Sequence, residues 1–185
     1  GLVGRNGMSS IIASSYSSGI VTGGNGSYYI GGLVGYAYSS PIDNSYSTGT
    51  VTGGDNTWYI GGLVGYNGSG TISSSYSSGA VTGGSDSYVI GGLVGWNEWD
   101  GAIINSFATG VATGSYDVGG LIGFLYSIGD NVTNSYWYNG TNADGIGNLN
   151  WSGVGDGYAL RADGFSDFYG TGSNKGGRVY YQDDL

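Results

Sequence analysis

The chain has 185 residues, of which 42 are glycine and one is proline, without the strict three-residue glycine period that a collagen triple helix needs. Hydrophobic residues make up 39% and aromatic residues 15% of the chain, which is enough apolar surface to exclude simple disorder. Thirteen acidic and four basic residues give a net charge of −9, which excludes a nucleic-acid binder because no positive surface can be built against phosphates.

A glycine-bracketed Leu-Val motif is the first element and recurs along the chain. "GLVG" opens the sequence, and the later copies are "GGLVGY" at 31–36 and 61–66, "GGLVGW" at 91–96 and "GGLIGF" at 119–124. The motif leucines are Leu2, Leu33, Leu63, Leu93 and Leu121, so the period is close to 30 residues. The repeats cover residues 1–139. Because the chain opens inside a repeat, we expect it to be an excised piece of a longer protein.

Short strands are predicted within each repeat. The block "ISSSYSSGAVTG" at 72–83 aligns without a gap to three other copies, at 12–23, 42–53 and 103–114. Its alternation predicts that Ile72, Ser74 and Tyr76 share one face of a strand. In the Leu-Val motif that precedes this block, the same alternation places Leu63 and Val64 on opposite faces of a strand. Three short strands per repeat are expected, separated by glycine-rich turns and without any helix.

The repeats predict an all-β fold, a β-solenoid of about five coils, because one 30-residue unit cannot bury enough apolar surface alone. Stacked coils would align like residues in ladders about 4.8 Å apart. The predicted columns include Ile12, Ile42, Ile72 and Ile103, and the rings of Tyr16, Tyr46, Tyr76, Phe107 and Tyr136. An alternative is a hairpin turning at Asp55 and Asn56, which would build antiparallel or propeller-like blades.

The stretch "GGLVGYNGSGTISSSYSSGAVTGG" at 61–84 resembles the GLUG-motif repeat, named for its glycine-leucine-any-glycine core. That family implies a secreted or cell-surface location in large bacterial proteins, including haemagglutinin-like adhesins. Some members lie beside the catalytic region of IgA-specific metallopeptidases. No residue of a family active site maps onto this chain, and a His-Glu-x-x-His zinc site is impossible without histidine.

The C-terminal segment 140–185 lacks the Leu-Val motif but is rich in aromatic residues. One reading is an irregular cap that covers the last coil's strand edges. The other is a self-association element that docks on the first coil of another copy, which would give a head-to-tail homo-oligomer or filament.

Aromatic residues in one variable loop are the predicted ligand-binding site. Tyr28 and Tyr29, Trp58 and Tyr59, and Tyr88 hold equivalent positions in three successive repeats, so they are expected to line one edge of the solenoid. Aromatic rings beside Asn and Asp suit contact with sugars. The alternative is that these rings only seal the turn onto the core.

Other chemistry is weaker. Glu98, the one glutamate, is near Asp100 and could form a glycosidase-like pair, but a solvated loop explains both residues. A calcium site is possible, since "GGNGS", "GGDNT" and "GGSDS" offer oxygen ligands, as do Asp144, Asp156 and Asp163. Turn chemistry accounts for the same residues, and no cofactor is expected.

The sequence therefore predicts a non-enzymatic extracellular structural or adhesive module of a cell-surface protein. Its expected partners are a host or neighbouring cell surface and its glycans, with no nucleic acid and no membrane span. A subunit of a self-assembling extracellular filament is the alternative. A carbohydrate-active solenoid enzyme is a weaker one.

Overall fold

The computed structural model describes residues 1–127, 132–138, 144–150 and 159–162. All the regular secondary structure within these ranges is β-strand, which confirms the predicted all-β class. No helix that could cross a membrane occurs in this part of the chain.

The strands form five parallel sheets, numbered here by the order in which one turn of the chain visits them. Sheet 1 contains Val3–Gly7, Val34–Tyr38, Val64–Gly68, Val94–Trp99, Ile122–Ser127 and Ile146–Asn150. Sheet 2 contains Ile12–Ala13, Ile42–Asp43, Thr71–Ser73, Ala102–Ile104 and Val132–Thr133. Sheet 3 contains Tyr16–Ser17, Tyr46–Ser47, Tyr76–Ser77, Phe107–Ala108, Ser135–Tyr138 and Ala159–Ala162. Sheet 4 contains Val21–Thr22, Val51–Thr52, Val81–Thr82 and Ala112–Thr113, and sheet 5 contains Tyr28–Gly31, Trp58–Gly61, Tyr88–Gly91 and Tyr116–Gly119.

Each strand pairs with its equivalents one turn before and after, which confirms the β-solenoid. Val64 is aligned with Val34 on one side and with Val94 on the other. The strands that flank Asp55 and Asn56 pair with neighbouring turns and not with each other, so the hairpin alternative is wrong. Four turns have all five strands, slightly fewer than the five coils expected, and further strands extend sheets 1, 2 and 3.

Two apolar clusters fill the interior. One joins sheets 1, 2 and 3 and includes the motif leucines from Leu33 onward together with Ile42 and Ile72. The other joins sheets 4 and 5 through Ile60, Ile90 and Val81. All these side chains are fully buried, and each burial contributes about 1.5–3 kcal/mol. The predicted isoleucine ladder is therefore part of the core, whereas the predicted ladder of rings faces outward.

Each repeat has five strands and not three because corners split two of the expected strands, one at Ser74 and one between Gly61 and Val64. Ser74 has a φ of 48°, so the chain bends there and the side-chain alternation starts again. Ile72 is buried and Ser74 exposed, while Tyr76 faces outward and Ser77 is buried. The expectation that Ile72, Ser74 and Tyr76 share a face is wrong for this reason. Leu63 and Val64 are also both buried, because sheets 5 and 1 meet at a corner beside them.

A serine ladder stabilises the corner between sheets 2 and 3 in each turn of the solenoid. The Oγ of each serine after the corner donates to a carbonyl two residues earlier in its own turn. From Ser45 onward, the same oxygen also accepts a hydrogen bond from the backbone N–H of the equivalent serine in the turn before it. The ladder consists of Ser15, Ser45, Ser75, Ser106 and Ser135. It satisfies backbone donors that the bend takes out of the sheet.

The motif glycines lie where two backbones touch. A Cβ atom on Gly61 would lie 1.9 Å from the carbonyl oxygen of Val64, and one on Gly62 would lie 2.1 Å from that of Gly92. Both distances are far inside van der Waals contact, so only glycine fits. The motif glycines of the inner turns therefore allow the backbones to pack closely.

The proposed domain boundary at residue 139/140 stays a prediction. Ile146–Asn150 and Ala159–Ala162 continue sheets 1 and 3 beyond it. Most of the segment 140–185, including the predicted cap or self-association element, lies outside the described residues.

Candidate ligand-binding face

The predicted aromatic residues lie together on the outer surface of sheet 5. Trp58 is aligned with Tyr28 in the previous turn and with Tyr88 in the next. The ring centroids of Trp58 and Tyr88 are 4.3 Å apart and nearly parallel. Tyr116, which the sequence reading left out, stacks on Tyr88 at 4.5 Å. The first column of rings therefore spans four turns.

A second column of side chains lies beside the first, because the residue that follows each ring of the first column has a left-handed backbone conformation. Tyr29 and Tyr59 have φ values of 60° and 61° and stack with centroids 5.3 Å apart. In a regular strand, neighbouring side chains point to opposite faces. Here the bend leaves Tyr28 and Tyr29 55% and 39% exposed, while Ile30 is buried. Val89 and Asp117 continue this column in the same backbone conformation.

The sequence reading missed a third column, on sheet 1. Tyr36 and Tyr66 stack at 4.8 Å with an interplanar angle of 2°, and Trp96 and Phe124 extend the column. The ring of Tyr29 meets that of Tyr36 edge-on at 5.1 Å, which joins the second and third columns. The available signal was the aromatic residue that ends every complete copy of the Leu-Val motif.

The three columns form one continuous surface, here called the aromatic wall. Its members are Tyr28, Trp58, Tyr88, Tyr116, Tyr29, Tyr59, Tyr36, Tyr66, Trp96 and Phe124. Parallel rings less than 5 Å apart cover each other's faces. Inner rings such as Tyr88 therefore present mainly edges and polar tips to solvent. Tyr28 and Tyr29, at the first turn, are exposed to a larger extent.

Glu98 brings a carboxylate to the wall. The Tyr66 hydroxyl donates a hydrogen bond to its Oε2 atom. Burial raises the pKa of the Tyr66 phenol above its ordinary value of 10.0, and the hydrogen bond and the negative charge of Glu98 raise it further. Burial, the neighbouring tyrosines Tyr29 and Tyr28, and Glu98 raise the pKa of Tyr59. These phenols therefore remain neutral hydrogen-bond donors well into alkaline pH.

A shallow pocket lies at the first-turn end of the wall. Gly4, Arg5, Tyr28, Tyr29 and Tyr36 line a volume of about 560 Å³. The guanidinium carbon of Arg5 lies 4.9 Å from the centroid of the Tyr36 ring, within the range of a cation–π contact.

The oxygen-rich turns before sheet 5 have a structural use. The side-chain Oδ1 of Asn25 accepts a hydrogen bond from the N–H of Asp55, and that of Asp55 accepts one from the N–H of Ser85. These side chains therefore accept backbone hydrogen bonds that link equivalent turn segments along the solenoid. Within the described ranges no group of three metal-ligating side chains occurs. Of the aspartates considered for calcium, Asp156 and Asp163 lie outside those ranges.

A separate aromatic column lies on sheet 3. Tyr46 stacks on Tyr76 at 4.8 Å, and Tyr76 stacks on Phe107 at 4.9 Å. Burial, together with Tyr46, raises the pKa of Tyr76. The column confirms the predicted ladder of rings, and its single row offers a natural comparison for the three-column wall.

Comparison with known families identifies the repeat. A family model described as "The GLUG motif" matches residues 26–52, 56–82 and 86–113. Comparison with curated proteins gives no match, and comparison with solved structures gives none either. The three matched segments coincide with successive turns of the solenoid, each ending at its sheet 4 strand. Residues 26–113 therefore carry three successive copies of the GLUG motif.

Proposed function

We propose that the solenoid is a non-enzymatic module that presents the aromatic wall to glycans at a cell surface. The observation that carries the proposal is the joining of three aromatic columns on one outer face. An exposed patch of this kind marks an interaction surface more often than a fold requirement. Rings with polar tips also suit sugars, which combine apolar ring faces with hydroxyl groups.

The scaffold supports this role through rigidity. Backbone ladders hold each ring in register with its equivalents above and below, so little side-chain entropy is left to lose on binding. The phenol of Tyr59 supplies a neutral donor beside the rings, while that of Tyr66 donates to Glu98. A long partner could lie along the stacking direction and contact several turns at once.

The extracellular location and the adhesive role rest on the resemblance to surface-protein repeats. A non-enzymatic role is favoured because Glu98 is engaged by Tyr66 at the edge of the wall. Labelling intact expressing cells with an antibody to the repeats tests the location. Turnover of a glycan that disappears in Glu98→Gln would instead support the carbohydrate-active enzyme.

A glycan array tests the binding role. Trp58→Ala and Tyr88→Ala are each expected to weaken binding about tenfold, because each removes a ring contact from the centre of the wall. Tyr76→Ala is the matched control, since it removes a stacked ring from the other aromatic column. Circular dichroism of all three variants checks that each one is folded.

Two outcomes would contradict the proposal. One is the absence of any glycan bound by the wild type. The other is equal loss in Tyr76→Ala and Trp58→Ala, which would point to a general effect of ring removal. Light scattering on the same samples addresses the alternative, because a mass that rises with concentration would favour the filament subunit.

A further inference from the structure

The outer face of sheet 1 carries a carboxylate beside the aromatic wall. Trp96 and Glu98 are two residues apart in one strand, and both are half-buried, while Asn97 between them is fully buried. The side chains of Trp96 and Glu98 therefore share the outward face of this strand. Glu98 is aligned with Gly68 in the turn before it and with Tyr126 in the turn after it. The carboxylate thus lies in an inner turn of the solenoid, with a neighbouring turn on each side.

The Tyr66 hydroxyl orients this carboxylate and leaves one of its oxygens free. It donates a hydrogen bond to the Oε2 atom of Glu98 from the turn before. Gly68 makes room for the phenol, because a Cβ atom there would lie 2.8 Å from Cε1 and 3.1 Å from the hydroxyl oxygen of Tyr66. Among the described residues, no other donor and no basic side chain pairs with Glu98, and its Oε1 atom is accessible to solvent. This atom is a charged acceptor that a ligand can reach.

The surroundings of the free oxygen favour a cation. Between residues 6 and 138 the chain contains no lysine, arginine or histidine, so no basic residue of these turns offsets the charge of Glu98. The rings of Tyr59 and Trp96 meet edge-on at 4.9 Å beside it, within the wall. Ring faces attract cations, and a carboxylate forms charge-assisted hydrogen bonds with an ammonium group. Both contacts are therefore offered to the same positively charged group.

We propose that Glu98 and the rings beside it bind a sugar that carries a protonated amine, so that the wall prefers amino sugars to neutral ones. The ammonium group donates to the Oε1 atom of Glu98, and the sugar ring lies along the wall beside Trp96. A sugar carboxylate at the same position would be repelled. This inference deepens the proposed glycan contact and rests on it.

Titration calorimetry of the full chain provides the test. The probes are the β-1,4-linked tetramers of glucosamine and of glucose, in a buffer that keeps the amines protonated. They share ring shape and linkage and differ at carbon 2, which carries an ammonium group in one and a hydroxyl in the other. We expect the glucosamine tetramer to bind about tenfold tighter, as one charged hydrogen-bonded pair supplies. This preference should disappear in Glu98→Gln, which keeps an acceptor for Tyr66 and removes the charge.

Asp43→Asn is the matched control, because it makes the same change in net charge at a distance from the rings. Asp43 lies on sheet 2, which contributes no ring to the wall, and accepts a hydrogen bond from Ser73. Exposed charges separated by more than about 8 Å are largely screened at physiological salt, so this variant should keep the preference. Trp58→Ala should weaken both tetramers to a similar extent and also keep it.

Several results would overturn the inference while leaving the glycan contact intact. These are equal binding of the two tetramers to the wild type, a preference that survives in Glu98→Gln, and an equal loss of preference in Asp43→Asn. Binding of neither tetramer, beside neutral glycans that bind on the array, would overturn it as well. If neither tetramer binds and the array is also empty, the proposed function itself fails.

Discussion

The hydroxyl of Ser75 shows how one small polar side chain stabilises two turns. Its Oγ atom donates to the Ser73 carbonyl at 2.6 Å and accepts a hydrogen bond from the Ser45 N–H at 3.1 Å. The N–H of Ser75 itself donates to the Oγ of Ser106. From Ser45 onward, each serine of the ladder thus satisfies a backbone donor of the turn before it. The residue is buried, so water cannot take over this role.

Ser75→Ala should lower the free energy of unfolding by about 1–3 kcal/mol, because it leaves the buried Ser45 N–H without an acceptor. Urea denaturation measures the change. Ser78→Ala is the control, since Ser78 is exposed and its backbone hydrogen bond to Ser47 does not involve the side chain. A Ser75→Ala variant as stable as Ser78→Ala would show that the ladder contributes little.

Corners and glycines decide the geometry at the scale of the strand. Gly79 occupies a buried position between sheets 3 and 4, where a Cβ atom would lie 2.0 Å from the carbonyl oxygen of Gly49 in the turn before it. Gly19 holds the same position of the repeat in the first turn, and a Cβ atom there meets nothing within 4 Å. The two glycines share a sequence context but differ in their surroundings.

Gly79→Ala is expected to destabilise the protein by about 1–3 kcal/mol or more, because two backbones must separate to admit the methyl group. Gly19→Ala should leave the stability unchanged or raise it by about 0.4–1 kcal/mol through the entropy of the unfolded chain. Thermal unfolding of both variants checks the difference. Equal effects would contradict the close approach of the turns.

Strand-scale features also mark the limit of what the sequence could predict. The period of 30 residues was enough to predict the stacking of Val34, Val64 and Val94, since equivalent residues of a regular repeat must align. The face to which each side chain points was harder to predict, because left-handed residues such as Ser74 and Tyr59 are not glycines and their sequence does not indicate a bend. The pairing of Tyr28 with Tyr29 on one surface, and the contact of both columns with Tyr36, depends on these bends. The predicted residues therefore do lie on one face, and the aromatic surface extends beyond them; their role in ligand binding stays a prediction.

The whole molecule behaves as a one-dimensional stack. Turns contact their neighbours through the same five sheets, and residues 31–60 and 61–90 are complete turns of equal length. Each turn supplies its own core residues and its own members of the serine ladder. Stability should therefore be close to a sum of turns and interfaces.

Deletion of residues 61–90 should leave a shorter solenoid that still unfolds cooperatively, because Val94 then stacks on Val34 in the same register. Deletion of residues 61–75, half a turn, should prevent folding, since every following strand then faces the wrong sheet. Circular dichroism and thermal melting distinguish the two variants. Loss of structure in the 30-residue deletion would show that the turns are not interchangeable.

The direction of the backbone hydrogen bonds gives the solenoid a mechanical character. Strands run across the axis and their bonds run along it, so tension applied to the chain ends loads the bonds of one turn before the next. Each released turn of about 30 residues lengthens the chain by roughly 100 Å. A cell-surface segment built in this way would lengthen in steps under shear and dissipate energy at each one, while turns that remain stacked keep their part of the aromatic wall.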